Sequence, residues 1–114
     1  MSDAGTGSFR KVEDRYARYD VVAIDGDNIG KVDHTFVDEA NQQEYIAVSR
    51  GGIAGLIPGT GSSVIPIDVC TVDNNTKTIE VSADKDVIKN SPSLGSGEEM
   101  TPEYETQVRS YYRL

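Results

Sequence analysis

The sequence predicts a mainly β protein, a small antiparallel barrel or sandwich carrying a short helix and a C-terminal amphipathic helix. Three observations predict it. Short runs rich in β-branched residues recur through the middle of the chain, and turn-forming clusters separate them. No helical pattern long enough for a crossover lies between those runs, which argues against parallel βαβ units. The last residues change period and place apolar side chains at helical spacing behind a capping sequence.

The opening segment, residues 1–19, begins with a small, polar "SDAGTGS" and continues as "FRKVEDRYARY". Phe9, Val12, Tyr16 and Tyr19 recur there at near-helical spacing, which suits a short helix or an ordered arm. Arg10, Lys11, Arg15 and Arg18 make it the most basic stretch, able to sit on a solvated face or against another subunit. Residues 20–90 form the predicted β domain. "YDVVAID" reads as a strand, and "KVDHTFVD" alternates so that Val32, His34 and Phe36 share one side while Thr35 and Val37 share the other. "QEYIAVSR", "SSVIPIDVCTVD" and "TKTIEVSAD" follow, for five or six strands in all. Pro66 lacks a ladder donor and belongs at an edge, a bulge or a strand start.

"DKDVIKN" can form one helical turn, and residues 91–100 form a polar linker. Residues 101–114 then read as a helix, with Thr101 as N-cap, Pro102 at the first helical position, and Glu103 and Glu105 complementing the dipole. Tyr104, Val108, Tyr111 and Tyr112 fall on its aromatic face. That face can pack on the chain's own sheet or on a neighbouring subunit.

Composition narrows the function classes. Eleven basic against nineteen acidic residues give a formal charge of −8, so nucleic acid and anionic membranes are poor partners. The apolar runs, such as Val21 to Ile24, are too short to cross a bilayer, and the start lacks the apolar core of a secretion signal. With one cysteine, Cys70, no intramolecular disulfide forms, and a cytoplasmic location is expected.

The polar stretch "AIDGDNIGKVDH" invites a calcium reading, but Ile29 and Phe36 stand where the fifth and twelfth ligands would be, so a β-turn is the expectation. "GGIAGLIPGTGSS" lacks the lysine of a Walker loop and the third glycine of a dinucleotide fingerprint, Val64 standing in its place. A loop between strands is the better account. His34 has Asp33 and Asp38 nearby in sequence, yet neighbouring strand residues point to opposite faces, so no acid–base pair is expected. Cys70, in "DVCTV", suits a small buried hydrophobe. No catalytic, cofactor-binding or metal-binding residues are therefore assigned.

Three segments together resemble the stand-alone bacterial PRC-barrel proteins. They are "YDVVAIDGDNIGKVDHTFVDEANQQEYIAVSRGG", "VIPIDVCTVDNNTKTIEVSADKDVIKNSP" and "EEMTPEYETQVRSYY". The marks of the resemblance are Gly26, Ile29, Gly30, Lys31, Val32 and Asp33, then Val37 with Asp38, and Ile65 with Pro66. The glycine-rich stretch 51–63 departs from that pattern. The resemblance implies a PRC-type β-barrel and a module that binds or assembles other macromolecules, with no catalytic residues to carry over. The expected function is a non-catalytic interaction module that forms a homo-oligomer and binds a protein partner, with Tyr104, Val108, Tyr111 and Tyr112 as contact residues. The alternative is a small-ligand or metal-binding sensor using Asp25, Asp27, His34 and the glycine loop.

Overall fold

The computed structural model describes residues 9–49, 61–95 and 100–114. Its strands are β1 (Phe9–Val12), β2 (Asp20–Val22), β3 (Asn28–Asp38), β4 (Gln43–Ser49), β5 (Ser62–Pro66), β6 (Cys70–Asp73), β7 (Thr78–Val81) and β8 (Ser93–Leu94). A 3-10 turn, Ile67–Val69, joins β5 to β6, and the two helices are α1 (Lys85–Lys89) and α2 (Pro102–Tyr111). The sheet order is β6-β7-β2-β3-β4-β5-β8, with β1 also paired to β3.

The long β3 organises the sheet. Its first half pairs with β2 and its second half with β1, while β4 runs along its other side. Two expectations are corrected here. The opening segment is no helix over residues 9–12: the unpaired second half of β3 offers a ladder that captures Phe9–Val12 as a strand. Tyr16 and Arg18, at φ 56° and 64°, keep the following turn from continuing as a helix. The sheet is also not wholly antiparallel, because β2 and β7 pair in parallel. The intervening chain from β3 to β6 supplies the long return that a parallel pair requires.

A third correction concerns the faces of β3. Val32 lies opposite Val48 and His34 opposite Ala47, leaving Asp33 as an extra residue in the ladder. This bulge reverses the alternation. Val32 therefore joins one core and Phe36 another, instead of sharing a side.

The first core is built from residues of the sheet such as Val21, Ile46, Val48, Ile65, Ile79 and Val81, with Ile88 of α1 packed into it. The ends of the strand path, β6 and β8, are not joined by a ladder among the described residues. On the opposite face Phe36, Tyr45, Ala47, Val64 and Leu94 make the second core, closed by Met100 and by Val108 of α2. Tyr45 to Val48 are consequently buried on both faces, which explains the unbroken apolar run "YIAV".

Local signals place the remaining elements as expected. Pro66 ends β5, opposite Tyr45 and beyond the reach of β8, where its missing N–H leaves no gap in the ladder. The Asp84 side chain accepts the Val87 N–H at 2.9 Å and caps α1. Thr101 Oγ1 accepts the Tyr104 N–H at 3.1 Å and caps α2, with Pro102 at its first position. The far end of α2 closes with Leu114 N–H on the Arg109 carbonyl and Arg113 N–H on that of Ser110, while Arg113 takes the left-handed conformation.

Of the glycine-rich stretch, residues 51–60 lie outside the described residues. Gly61 has a backbone role: its φ is +80°, and a Cβ there would stand 2.2 Å from the Leu94 carbonyl oxygen. Gly61→Ala is expected to cost about 1–3 kcal/mol by straining the left-handed backbone and separating β5 from β8. A lowered urea midpoint with an unchanged slope is the measurement that checks it.

Candidate functional site

The sequence-predicted site residues fall in different places. Asp25 and Asp27 are exposed on a tight turn, in which Gly26 N–H donates to the Ala23 carbonyl (2.9 Å) and Ala23 N–H to that of Asp27 (2.8 Å). Gly26, at φ +93°, permits that geometry. His34 sits on β3, its ring edge-on to Phe36 at 4.8 Å. Contrary to expectation, His34 Nδ1 and Asp33 Oδ2 are paired at 3.0 Å, because the bulge at Asp33 abolishes the opposite-face rule locally. Among the described residues no three His, Cys, Asp or Glu side chains are grouped so as to hold a metal ion.

Cys70 donates to the Pro66 carbonyl at 3.4 Å. Burial, with a contribution from Asp68, pushes its thiol up to about 12, so thiolate chemistry is suppressed.

The aromatic face of α2 packs on the sheet of its own chain. Val108 is fully buried there, so a direct partner contact through it would require the helix to leave. Tyr104 is half-buried and donates its hydroxyl to the Pro92 carbonyl at 2.9 Å. Tyr112 is half-buried against both cores. Tyr111 points toward α1, its hydroxyl donating to the Val87 carbonyl at 2.5 Å.

Beneath α2 lies a polar cluster that sequence reasoning missed. Asp38, at the end of β3, is 1% exposed and accepts from the Ala40 N–H (3.1 Å) and Asn41 Nδ2 (3.0 Å). The Glu105 carboxyl of α2 neighbours it. The Tyr45 hydroxyl donates to Glu105 Oε2, and Arg109 Nη1 donates to that hydroxyl (3.2 Å) and to Gln43 Oε1 (3.0 Å). Asp68 stands 3.6 Å from Arg109. Burial first, then the hydrogen bond to Glu105, raises the Tyr45 phenol well above its ordinary range. Burial and the neighbouring Asp38 likewise raise the Glu105 carboxyl. The sequence held a faint signal for this cluster: Glu105, Val108 and Arg109 recur at helix spacing, so charged residues flank the apolar stripe.

The surface has its own pattern. Among the described residues the large apolar side chains left exposed are Ile24 (59%), Leu114 (48%) and Val87 (39%). Ile24 N–H donates to the Ala83 carbonyl at 3.0 Å, which sets the 23–27 turn beside the start of α1. Val87 lies on that helix, Tyr111 is bonded to it, and Leu114 follows three residues later. Two cations of the opening segment are engaged within the chain: Arg10 pairs with Glu39 at 2.8 Å and Arg15 with Glu44 at 2.6 Å.

No helix among the described residues is long and apolar enough to cross a membrane. Comparison with curated proteins gives no match. The sequence model of the PRC-barrel domain matches residues 15–88, from the turn before β2 to the core residue of α1. Domains of this family are in general small interaction modules. With that span covering most of the sheet and the first core, the chain belongs to the PRC-barrel domain family.

Proposed function

We propose that this protein is a non-catalytic interaction module that self-associates and holds a protein partner through the surface bearing Ile24, Val87, Tyr111 and Leu114. The observation that carries the reading is this exposure on a molecule whose sheet is otherwise covered on both faces. Exposed apolar side chains gain by burial against another surface, at roughly 25 cal/mol per Å². Of the aromatic helix face, Tyr111 belongs to this surface. Val108 serves the chain's own core, with Tyr104 and Tyr112 packed beside it. The buried thiol of Cys70 suits a reducing bacterial cytoplasm as the setting.

Light scattering behind size-exclusion chromatography tests the reading. The wild-type mass is expected to rise above 12.4 kDa with concentration. The double variant Ile24→Glu, Val87→Glu is expected to stay at the monomer mass with its thermal midpoint retained, since both positions are exposed. A wild type that remains monomeric throughout removes self-association, and a double variant that associates like the wild type removes this surface.

A further inference from the structure

We propose that residues 9–16 form an exchangeable arm, and that a second copy of this chain docks by laying its own arm, strand for strand, along β3. The contacts that hold the arm do not depend on which chain supplies it. Phe9–Val12 pairs antiparallel with residues 35–38, Arg10 meets Glu39 at 2.8 Å, and Arg15 meets Glu44 at 2.6 Å. The Thr35 hydroxyl donates to the Arg15 carbonyl at 3.1 Å, and the Tyr16 hydroxyl donates to Glu44 Oε1 at 3.3 Å. An arm from another copy makes the same set, so exchange conserves the ladder and both ion pairs. The charges suit it as well. In a chain of formal charge −8 the arm carries Arg10, Lys11 and Arg15 against Glu13 and Asp14, so it is the part of one acidic molecule that another attracts.

The turn behind the arm gives exchange its direction. From Tyr19 onward the chain is fixed on the body of the domain: Val32 N–H donates to the Tyr19 carbonyl and Asp20 N–H to that of Lys77, both at 3.0 Å, and the Tyr19 hydroxyl donates to Asn74 Oδ1 at 2.8 Å. Only Ala17 and Arg18 separate these anchors from Tyr16, and the reversal closes with Tyr19 N–H on the Tyr16 carbonyl at 3.0 Å. To make it, Tyr16 and Arg18 adopt φ values of 56° and 64°, where the Cβ of an L-residue crowds its own backbone. An arm kept at home carries that strain. A hinge that extends into another copy loses it, and short strained hinges of this kind favour exchange. Most of the arm precedes the family span, and the first core takes only Tyr16 from it, so the arm can leave while that core persists. Every arm contact must break first, so folded chains trade arms slowly, whereas chains that fold side by side take either arm. The exchanged dimer presents the surface of Ile24 and Val87 twice.

The test uses the full chain carrying Ile24→Glu and Val87→Glu, so that association through that surface plays no part. One version adds Arg10→Cys and another Val37→Cys, positions directly opposite in the β1–β3 ladder and within disulfide reach when an arm is docked. Cys70, common to both, stays engaged with the Pro66 carbonyl. Unfolded together, refolded at high concentration and gently oxidised, the two versions are expected to yield a covalent pair of twice 12.4 kDa with one chain of each kind. Refolded apart and then mixed, they are expected to give no such pair. Arg18→Gly takes a positive φ freely and is expected to raise the dissociation constant of the exchanged dimer by about fivefold or more for each of its two hinges. Arg18→Pro, whose ring holds φ near about −65°, cannot close the turn and is expected to be dimeric even when refolded dilute. Absence of the mixed pair after joint refolding overturns the exchange, as does an equal yield from chains mixed after folding. An Arg18→Gly dimer as tight as its parent, or an Arg18→Pro chain that folds as a monomer, overturns it too. The disulfide result decides even where Arg18→Pro does not fold. Failure here leaves association through Ile24 and Val87 standing, and failure there leaves this test unaltered.

Discussion

Val108→Asp is expected to free α2 from the sheet while the inner core stays folded. Val108 is fully buried among Phe36, Tyr45, Ala47, Val64, Leu94 and Met100, with the Asp38–Glu105 pair close by. A carboxylate placed there has no cation assigned to it, because Arg109 is already engaged with Gln43, Tyr45 and Asp68. An unpaired buried charge of this kind costs about 3–5 kcal/mol. The helix has a route that avoids the cost: it can leave, so the loss is limited to what its docking contributes. The inner core depends on residues from β2 to α1, the span that the family match covers, and α2 lies outside it. The expected result is a protein with its strand content retained by circular dichroism, strong binding of an apolar dye, and Met100 open to peroxide. Continued protection of Met100 would contradict the expectation, as would loss of all strand signal.

Ile46→Ala is expected to have the opposite character, weakening the domain as a whole. Ile46 is fully buried on the inner face of β4, in one cluster with Val21, Val32, Val48, Ile65, Ile79 and Ile88. Its neighbours come from five strands and α1, so no single element can move away to close the space. Truncation to Ala therefore leaves a cavity and costs about 2–5 kcal/mol. A domain of this size has about 5–15 kcal/mol in total, so the folded fraction at elevated temperature falls sharply. Thermal unfolding followed at strand wavelengths checks it, and a midpoint within a degree of wild type would mean that the inner core is not the structure's main support. Because Ile46 and Tyr45 are successive residues facing different cores, the pair of variants also asks how strongly one strand couples the two faces.

The elements readable from the sequence are those whose causes are local. Thr101 and Pro102 start α2, Asp84 starts α1, Gly26 turns the chain after Ile24, and Pro66 ends β5, each through backbone geometry settled within a few residues. Alternation and turn spacing likewise announced a mainly β chain, and the resemblance carried by Gly30, Lys31 and Val32 named its family. What the sequence concealed depends on where the chain returns. Phe9–Val12 has a helical period, yet an open edge of β3 made it a strand. The bulge at Asp33 exists because β3 must serve two cores, and it alone brought Asp33 onto His34. β2 and β7 became parallel only through the path of the residues between them.

Amino-acid order by itself thus determined the strand-rich class, the helix starts and the acidic, single-thiol composition, because these follow from short-range sterics and counting. The tertiary structure decided which face each side chain occupies, that α2 folds back onto its own sheet, and that Glu105 and Arg109 meet Tyr45 beneath it. The physical reason is burial: a side chain's face and polar partners are fixed only when distant segments meet and remove it from water.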